Sequence, residues 1–470
     1  MTRENIMQQI EKVLVLGLDC MTPQLVFERW KDDLPNFKRL MIEGVWGKMQ
    51  SVTPAITVPA WMCMMTSKDP GRLGVYGFRN RKNYTYDEMM YANALAFHEP
   101  TVWDYLSRAN KRSIVVGVPG TYPTKPINGE LISCFMTPDT TVDFTYPKTL
   151  KQELIDHGIN YILDTDEFRT NDKDRLLKEL YLMTEERMKT VHYLLDTRQW
   201  DFFMVVEMGP DRVHHGFWSY MEPDHPKYVK GNPYEHVIFD YYKTIDREMG
   251  KILARLDDHT VFMVVSDHGA KTMDGGICLN DWLIKEGYLT LKEIPKSPTN
   301  FKTGMVDWSK TKAWGSGGYY GRLFLNVKGR EPEGAIPVED YEKVRAELIQ
   351  RIEAIPNHHG KPIGTKVFRP EDIYPVVNGI APDLLIYFGD LDWRSVGTVG
   401  NPAIWTFEND TGPDDANHAK YGIFGALGPG IPRGKQLTNI HIMDVAPTIL
   451  GALGRPVPED MQGKQLRIRN

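Results

Sequence analysis

The sequence predicts an α/β protein whose mostly parallel sheet is flanked by helices and carries a smaller inserted α/β lobe. Three observations support that expectation. Val261-Phe262-Met263-Val264-Val265 is a short apolar run that stops at Ser266-Asp267-His268-Gly269, as a strand buried on both faces does where its carboxyl end opens on a crevice. Two further runs end the same way: Val13 to Leu18 halts at Asp19, and Phe202 to Val206 leads through Glu207-Met208-Gly209-Pro210 to Asp211 and His215. Beyond Gly276 the texture changes to Lys- and Pro-punctuated loops, so residues 281–400 are read as an inserted lobe or lid, and 1–280 with 401–470 as the core.

Each element follows from a local pattern. After Asp19, Thr22-Pro23 caps and opens a helix through Leu25 to Trp30, and Phe37 to Ile42 forms a second amphipathic stretch ending at Gly44. Val45 to Met49 reads as a strand. Pro59 stands where a helix accepts its first residue, which leaves Thr57 at or just before a helix start. Asp69 to Lys82 is a Gly-rich loop with several cations. A helix over Val102–Leu106 and a strand over Ile114–Val118 follow, and Leu150 to Leu195 is charged and largely helical. Tyr234 to Leu256 is an amphipathic helix leading to the strand before Asp267. The lobe offers strands near Tyr320–Val327 and Leu384–Phe388, with a helix near Val338–Ala354. Its Trp314-Gly315-Ser316-Gly317-Gly318-Tyr319-Tyr320 segment suits a lid or pocket wall, and equally an ordinary Gly-rich turn. His418 precedes an apolar strand, and a helix over Asp444–Leu453 closes the chain.

Composition narrows the function classes. With 470 residues, 41% hydrophobic and 25% charged, the chain is globular and large enough for two or three lobes. A net charge of -6 leaves no basic footprint for duplex nucleic acid, whereas a small phosphorylated substrate needs only local positive charge. Cys20, Cys63, Cys134 and Cys278 lack paired spacing and read as free thiols of a reducing compartment, with the cytoplasm as the default location. Met1 to Lys12 is polar and gives no export signal, and no apolar run is long enough to span a bilayer. Nothing in the chain fixes an oligomeric state.

The polar strand ends carry the chemistry. Asp267 and His268, followed at once by Gly269, suit a cation bound in a tight turn, although an acid accepting backbone amides beside a surface histidine leaves the same pattern. Asp211 and His215 are spaced to share one face of a helical turn, where they can hold one ion between them. Thr57 sits among the unpaired N–H groups and positive dipole of a helix start, a place for an N-cap or for a nucleophile attacking phosphate. Arg79, Asn80 and Arg81 can grip phosphate oxygens or form a solvated basic loop.

Asp19 after the first strand, Thr57-x-Pro59, Asp211-x-x-x-His215, Ser266-Asp267-His268-Gly269 and His418-x-x-x-Gly422-x-Phe424 together resemble the alkaline phosphatase superfamily, in particular its type I phosphodiesterase/nucleotide pyrophosphatase branch. The order and spacing match over nearly the whole chain outside the lobe. The resemblance implies an alkaline phosphatase-like core and two divalent ions, zinc first with manganese as the alternative. It assigns one ion to Asp19, Asp267, His268 and Thr57, and the other to Asp211, His215 and His418. It further implies a phosphodiesterase acting on a nucleotide-like or other small phosphate ester, with in-line attack by Thr57 and hydrolysis of the resulting phosphothreonine. A phosphomutase or phosphotransferase would use the same site, and a non-catalytic phosphate-ester binder would retain it. Sulfate esters do not fit, because the sulfatases carry a modified Cys in C-x-P-x-R and this chain reads Thr57-Val58-Pro59-Ala60-Trp61. In the nucleotide pyrophosphatases an Asn just after a His-Gly motif grips phosphate. Here the loop reads Leu73-Gly74-Val75-Tyr76-Gly77-Phe78, which leaves Arg79 or Asn80 as the expected substrate contact.

Overall fold

The computed structural model describes residues 10–468, and in it Lys12–Leu18 forms a middle strand of a ten-stranded sheet. Residues 1–9, over which no export signal is expected, lie outside the described residues. Lys12–Leu18 pairs in parallel with Phe202–Glu207 on one side and Thr260–Val265 on the other, with Gly17 level with Val206 and Val265. That register brings the three carboxyl ends out at one edge, the common crevice the strand-end acids predict. Phe202–Glu207 continues in parallel to Ser113–Val116 and then to Gly129–Ile132. Only the margins are antiparallel: Tyr421–Leu427 against Thr260–Val265, Val45–Gln50 beyond it, and Thr145–Tyr146 at the far end. The central strands are buried along nearly their whole length, which explains why they read as continuous apolar runs rather than alternating ones.

Several elements differ from expectation in instructive ways. The helix carrying Thr57 spans Thr57–Thr66, so Pro59 is its third residue; first-turn amides have no intrahelical acceptor, and a missing N–H there breaks nothing. Gln24–Arg29 takes a π-helical course. The stretch from Leu150 to Leu195 is two helices, Thr149–Asp156 and Lys173–Thr197, joined by irregular chain. His418 lies inside a short strand, Ala416–Ala419, which pairs antiparallel with Gly269–Thr272 and sets Ala270 opposite His418. This pairing carries His418 across to the Asp267 end of the sheet.

A second apolar cluster, distinct from the one around the large sheet, surrounds a four-stranded sheet in the order Ala313–Ser316, Gly321–Leu325, Leu384–Tyr387, Lys366–Phe368. Helix Tyr341–Glu353 covers it through Leu348 and Ile352. Ile277 and Leu279 on one side, and Ile404 and Trp405 on the other, already pack into this cluster. A third, smaller cluster ties Ile56 and Tyr76 of the core to Tyr320, Tyr374, Leu385 and Tyr387, so the lobe is seated beside the Thr57 helix. No helix among the described residues is long and apolar enough to cross a membrane.

Candidate active site

Each predicted acid and imidazole reaches the same crevice by a separate local route. Asp19 follows its strand directly, and the next residue, Cys20, turns the chain with φ 62° and donates its amide to Asp267 Oδ1 at 3.1 Å. A left-handed non-glycine residue is uncommon and mildly strained; here it fixes the second carboxylate. Asp211 and His215 lie one turn apart on helix Gly209–Met221, whose first amide is held by Glu207 Oε1 at 2.9 Å. Asp267 and His268 follow Thr260–Val265, and all of these side chains are buried.

The polar atoms fall into two sets, those anchored outside the cluster and those left bare inside it. Trp61 Nε1 donates to Asp19 Oδ2 at 2.6 Å, leaving Oδ1 without a partner. Arg212 Nη1 donates to Asp211 Oδ2 at 2.5 Å and is itself gripped by Asp164, leaving Asp211 Oδ1 bare. With Oδ1 held by Cys20, Asp267 Oδ2 is bare as well. The imidazoles follow the same rule. Nδ1 of His418 donates to Ala55 O at 2.9 Å, Nδ1 of His268 to Gly269 O at 3.2 Å, and Nδ1 of His215 to Asp414 Oδ1 at 2.8 Å. Carbonyl and carboxylate oxygens only accept, so each outward nitrogen carries the proton and each Nε2 turns inward.

The inward atoms draw together. Asp211 Oδ1 lies 3.2 Å from His215 Nε2 and 3.8 Å from His418 Nε2, while His268 Nε2 lies 3.1 Å from Asp267 Oδ2 and 3.9 Å from Asp19 Oδ1. Two groups have ligand spacing, Asp211 with His215 and His418, and Asp19 with Asp211 and His268, so Asp211 is their shared corner. A buried polar atom without a partner costs about 1–3 kcal/mol, and several of them facing one another suit divalent cations. The residues present therefore fit a two-ion centre.

Electrostatics point the same way. Burial and the charge of Asp211 push Asp19 well up, and burial together with Asp19 does the same to Asp267. Burial would also raise Asp211, but His215 and Arg212 outweigh it and hold that carboxyl well below the usual range. Burial lowers His268 to about 4, and with the neighbouring imidazoles takes His418 well down, which favours neutral rings. His215 is the exception: burial lowers it, yet Asp414 and Asp211 lift it to about 9. Crowded, buried carboxylates of this kind are relieved by positive charge placed between them.

Thr57 is the first residue of its helix, is buried, and donates its hydroxyl toward His268 Nε2 at 3.3 Å. The N-cap is Ile56 and no side chain caps this helix, so the hydroxyl of Thr57 is free of a capping role. His214, next to His215, faces the other way, with Nε2 2.8 Å from the Tyr242 hydroxyl. The two expected phosphate contacts are not drawn into the cluster. Asn80 is buried with its amide taken up by its own loop, Oδ1 accepting from Tyr76 N at 2.7 Å and Nδ2 donating to Gly77 O at 2.8 Å. Arg79 is exposed, its guanidinium 5.5 Å over the Tyr91 ring.

Sequence reasoning missed the outer supports Trp61, Arg212, Asp164, Asp414 and Arg169, and offered Tyr319 only within a Gly-rich segment suited to a lid, a pocket wall or an ordinary turn. Trp61 left a local signal, standing four residues after Thr57 and hence on the same helical face.

A helix-flanked, mostly parallel sheet with acids and imidazoles gathered at one edge puts the protein in the alkaline phosphatase-like class that its motifs predict. A profile of the type I phosphodiesterase / nucleotide pyrophosphatase family matches residues 13–418, from the first strand through His418. The chain belongs to that family, and is a hydrolase acting on phosphate ester bonds. No curated protein matches by sequence. Among solved structures, human ectonucleotide pyrophosphatase / phosphodiesterase 5 is similar in fold, with TM-score 0.57 and 14% identity over 96% of each chain. The murine protein of the same name gives TM-score 0.58 and 15% identity over 96% of this chain and 97% of its own. A further murine structure, of an inactive Thr-to-Ala variant in complex with AMP, gives 0.57 and 14% over the same shares.

Proposed function

We propose that the protein is a two-metal phosphodiesterase that cleaves a nucleotide-like or other small phosphate diester through a phosphothreonine on Thr57. The observation that carries this reading is the Thr57 hydroxyl, buried at a helix start and directed at His268 Nε2, on which the bare carboxylate oxygens also converge. Asp211, His215 and His418 would hold one ion and Asp19, Asp267 and His268 the other, zinc first or manganese, and such ions acidify a neighbouring hydroxyl and neutralise charge on phosphoryl oxygens. Thr57 Oγ1 forms the new bond to phosphorus as one ester oxygen departs as an alcohol, and water then breaks the Oγ1–P bond. The amides of the first helical turn present positive dipole ends to the phosphoryl group. Trp61, Cys20 and Arg212 hold the three carboxylates so that one oxygen of each stays inward throughout. The AMP bound by a murine neighbour supports a nucleotide-like substrate. The four free, buried cysteines support a reducing compartment such as the cytoplasm.

The test uses protein of measured zinc content with bis-p-nitrophenyl phosphate, p-nitrophenyl phosphate and a sugar phosphate. The diester should turn over fastest, and Thr57→Ala should keep the zinc while losing turnover by orders of magnitude. Near-wild-type turnover in Thr57→Ala overturns the nucleophile. Phosphate passed between sugar hydroxyls without release would instead identify a phosphomutase.

A further inference from the structure

We propose that Tyr319, delivered by the inserted lobe, is a positioning residue for the ion site of His215 and His418. The inference rests on the two-metal reading above. Tyr319 lies in the Gly-rich turn between the strands Ala313–Ser316 and Gly321–Leu325, yet its side chain reaches the core. Its ring stacks on His215, with centroids 4.8 Å apart and planes at 20°, and on His418, at 4.3 Å and 29°. One aromatic face thus covers both imidazoles of a single site. Its hydroxyl donates to Asp414 Oδ2 at 2.8 Å, lies 3.3 Å from His215 Nδ1, and accepts from Arg169, whose Nε also donates to Asp414 Oδ2 at 2.8 Å. Its carbonyl accepts from Asn417 Nδ2 at 3.1 Å, which ties the turn to the strand bearing His418.

The reason this matters lies in how His215 is held. His268 and His418 lean on main-chain carbonyls, which the fold keeps in place. His215 leans on a side-chain carboxylate, Asp414 Oδ1, whose orientation depends on what holds Oδ2. Arg169 and the Tyr319 hydroxyl are those holders. Without them Asp414 is free to rotate, and the ring of His215 loses both its hydrogen-bonded direction and its stacking partner. Outer partners of this kind set ring orientation, and their loss typically weakens metal binding about 10- to 100-fold.

The test measures zinc affinity at both sites by competition with a chromogenic chelator, using the full chain. Tyr319→Phe keeps the ring and removes the hydroxyl, and should weaken one of the two zinc sites about tenfold while sparing the other. Tyr319→Leu removes the stacking as well, and should approach about 100-fold at the same site. In an Asp414→Asn background, Tyr319→Phe should add less than it does alone, because the two changes share the Asp414 linkage while the 3.3 Å contact of the hydroxyl with His215 Nδ1 remains. Unchanged zinc affinities in folded Tyr319→Phe and Tyr319→Leu overturn the inference, as does an equal loss at both sites, which marks a general packing role. A wild-type protein that takes up no divalent ion overturns the two-metal reading and this inference together. Two zincs in the wild type with unaltered variants overturn this inference alone.

Discussion

Replacing Trp61 by phenylalanine would remove one hydrogen bond from the candidate site and keep most of an aromatic ring. Trp61 is fully buried, as is Asp19, whose Oδ2 it holds at 2.6 Å. A hydrogen bond to a charged group contributes about 1.5–3 kcal/mol, which corresponds to about 10- to 150-fold in an equilibrium constant. Because the bond is present before a cation arrives, only part of that amount can appear in zinc affinity, through the direction it gives Asp19 Oδ1; the remainder appears as lost stability. The assay is therefore paired: zinc competition for affinity, and urea unfolding of the chelated protein for stability. Phenylalanine also leaves unfilled volume beside Gly17, so the cleaner variant carries β-(3-benzothienyl)alanine at position 61, where sulfur replaces the indole N–H at nearly equal size. Zinc affinity within about threefold of wild type, together with an unfolding free energy within about 0.5 kcal/mol, would refute the reasoning that this donor orients Asp19.

Three further expectations follow from contacts already described or from neighbours of the same site. A Cβ at Gly17 would stand 2.7 Å from Trp61 Cη2 and 2.9 Å from Val206 Cγ2, so Gly17→Ala should destabilise the protein by about 1–3 kcal/mol through overpacking and alter the near-ultraviolet dichroism of Trp61; a neutral effect on both would mean the sheet yields there. Glu207 Oε2 lies 3.1 Å from Arg187 Nε, both side chains being buried, so Glu207→Leu should leave that guanidinium unpaired at about 3–5 kcal/mol and loosen the Asp211 helix start, and a loss below about 1 kcal/mol by urea unfolding would count against it. At Asp390, partial burial raises the carboxyl, but Lys420, Lys366 and Lys271 outweigh it and lower it below the ordinary value. A folded value below the unfolded one, about 3.9, means the contribution is complete above that pH and lost as pH falls through the folded value. The melting-temperature gap between wild type and Asp390→Asn should therefore be widest near neutrality and close in acid, and added salt should shrink it because the group is only half-buried; a gap that widens in acid would refute this.

The parts of the site legible in the chain are those written within a few residues. Asp19, Asp211 with His215, and Asp267 with His268 announce themselves because a parallel buried strand is an unbroken apolar run and its first polar neighbour marks the carboxyl end. His418 is legible by resemblance, but its strand is not, since the pairing with Gly269–Thr272 joins segments far apart in sequence and neither has an apolar run of its own. The supports Asp414, Tyr319 and Arg169 meet only through contacts spanning 95 to 245 residues, where no local period exists to read. Asn80 shows the converse. A basic, Gly-rich loop looks like a phosphate grip, but the short polar side chain is claimed by the loop's own backbone, as Asn side chains in turns readily are.

Main-chain acceptors behind two imidazoles and a carboxylate behind the third make the two proposed ion sites unequal in their openness to change. No substitution deletes the carbonyl of Ala55 or Gly269, so the settings of His418 and His268 are inherited with the fold itself. Asp414 is a side chain, exchangeable in a single codon step. Divergence in metal preference among such enzymes, or its deliberate redesign, would therefore enter through the His215 corner first, with the opposite corner left as it was.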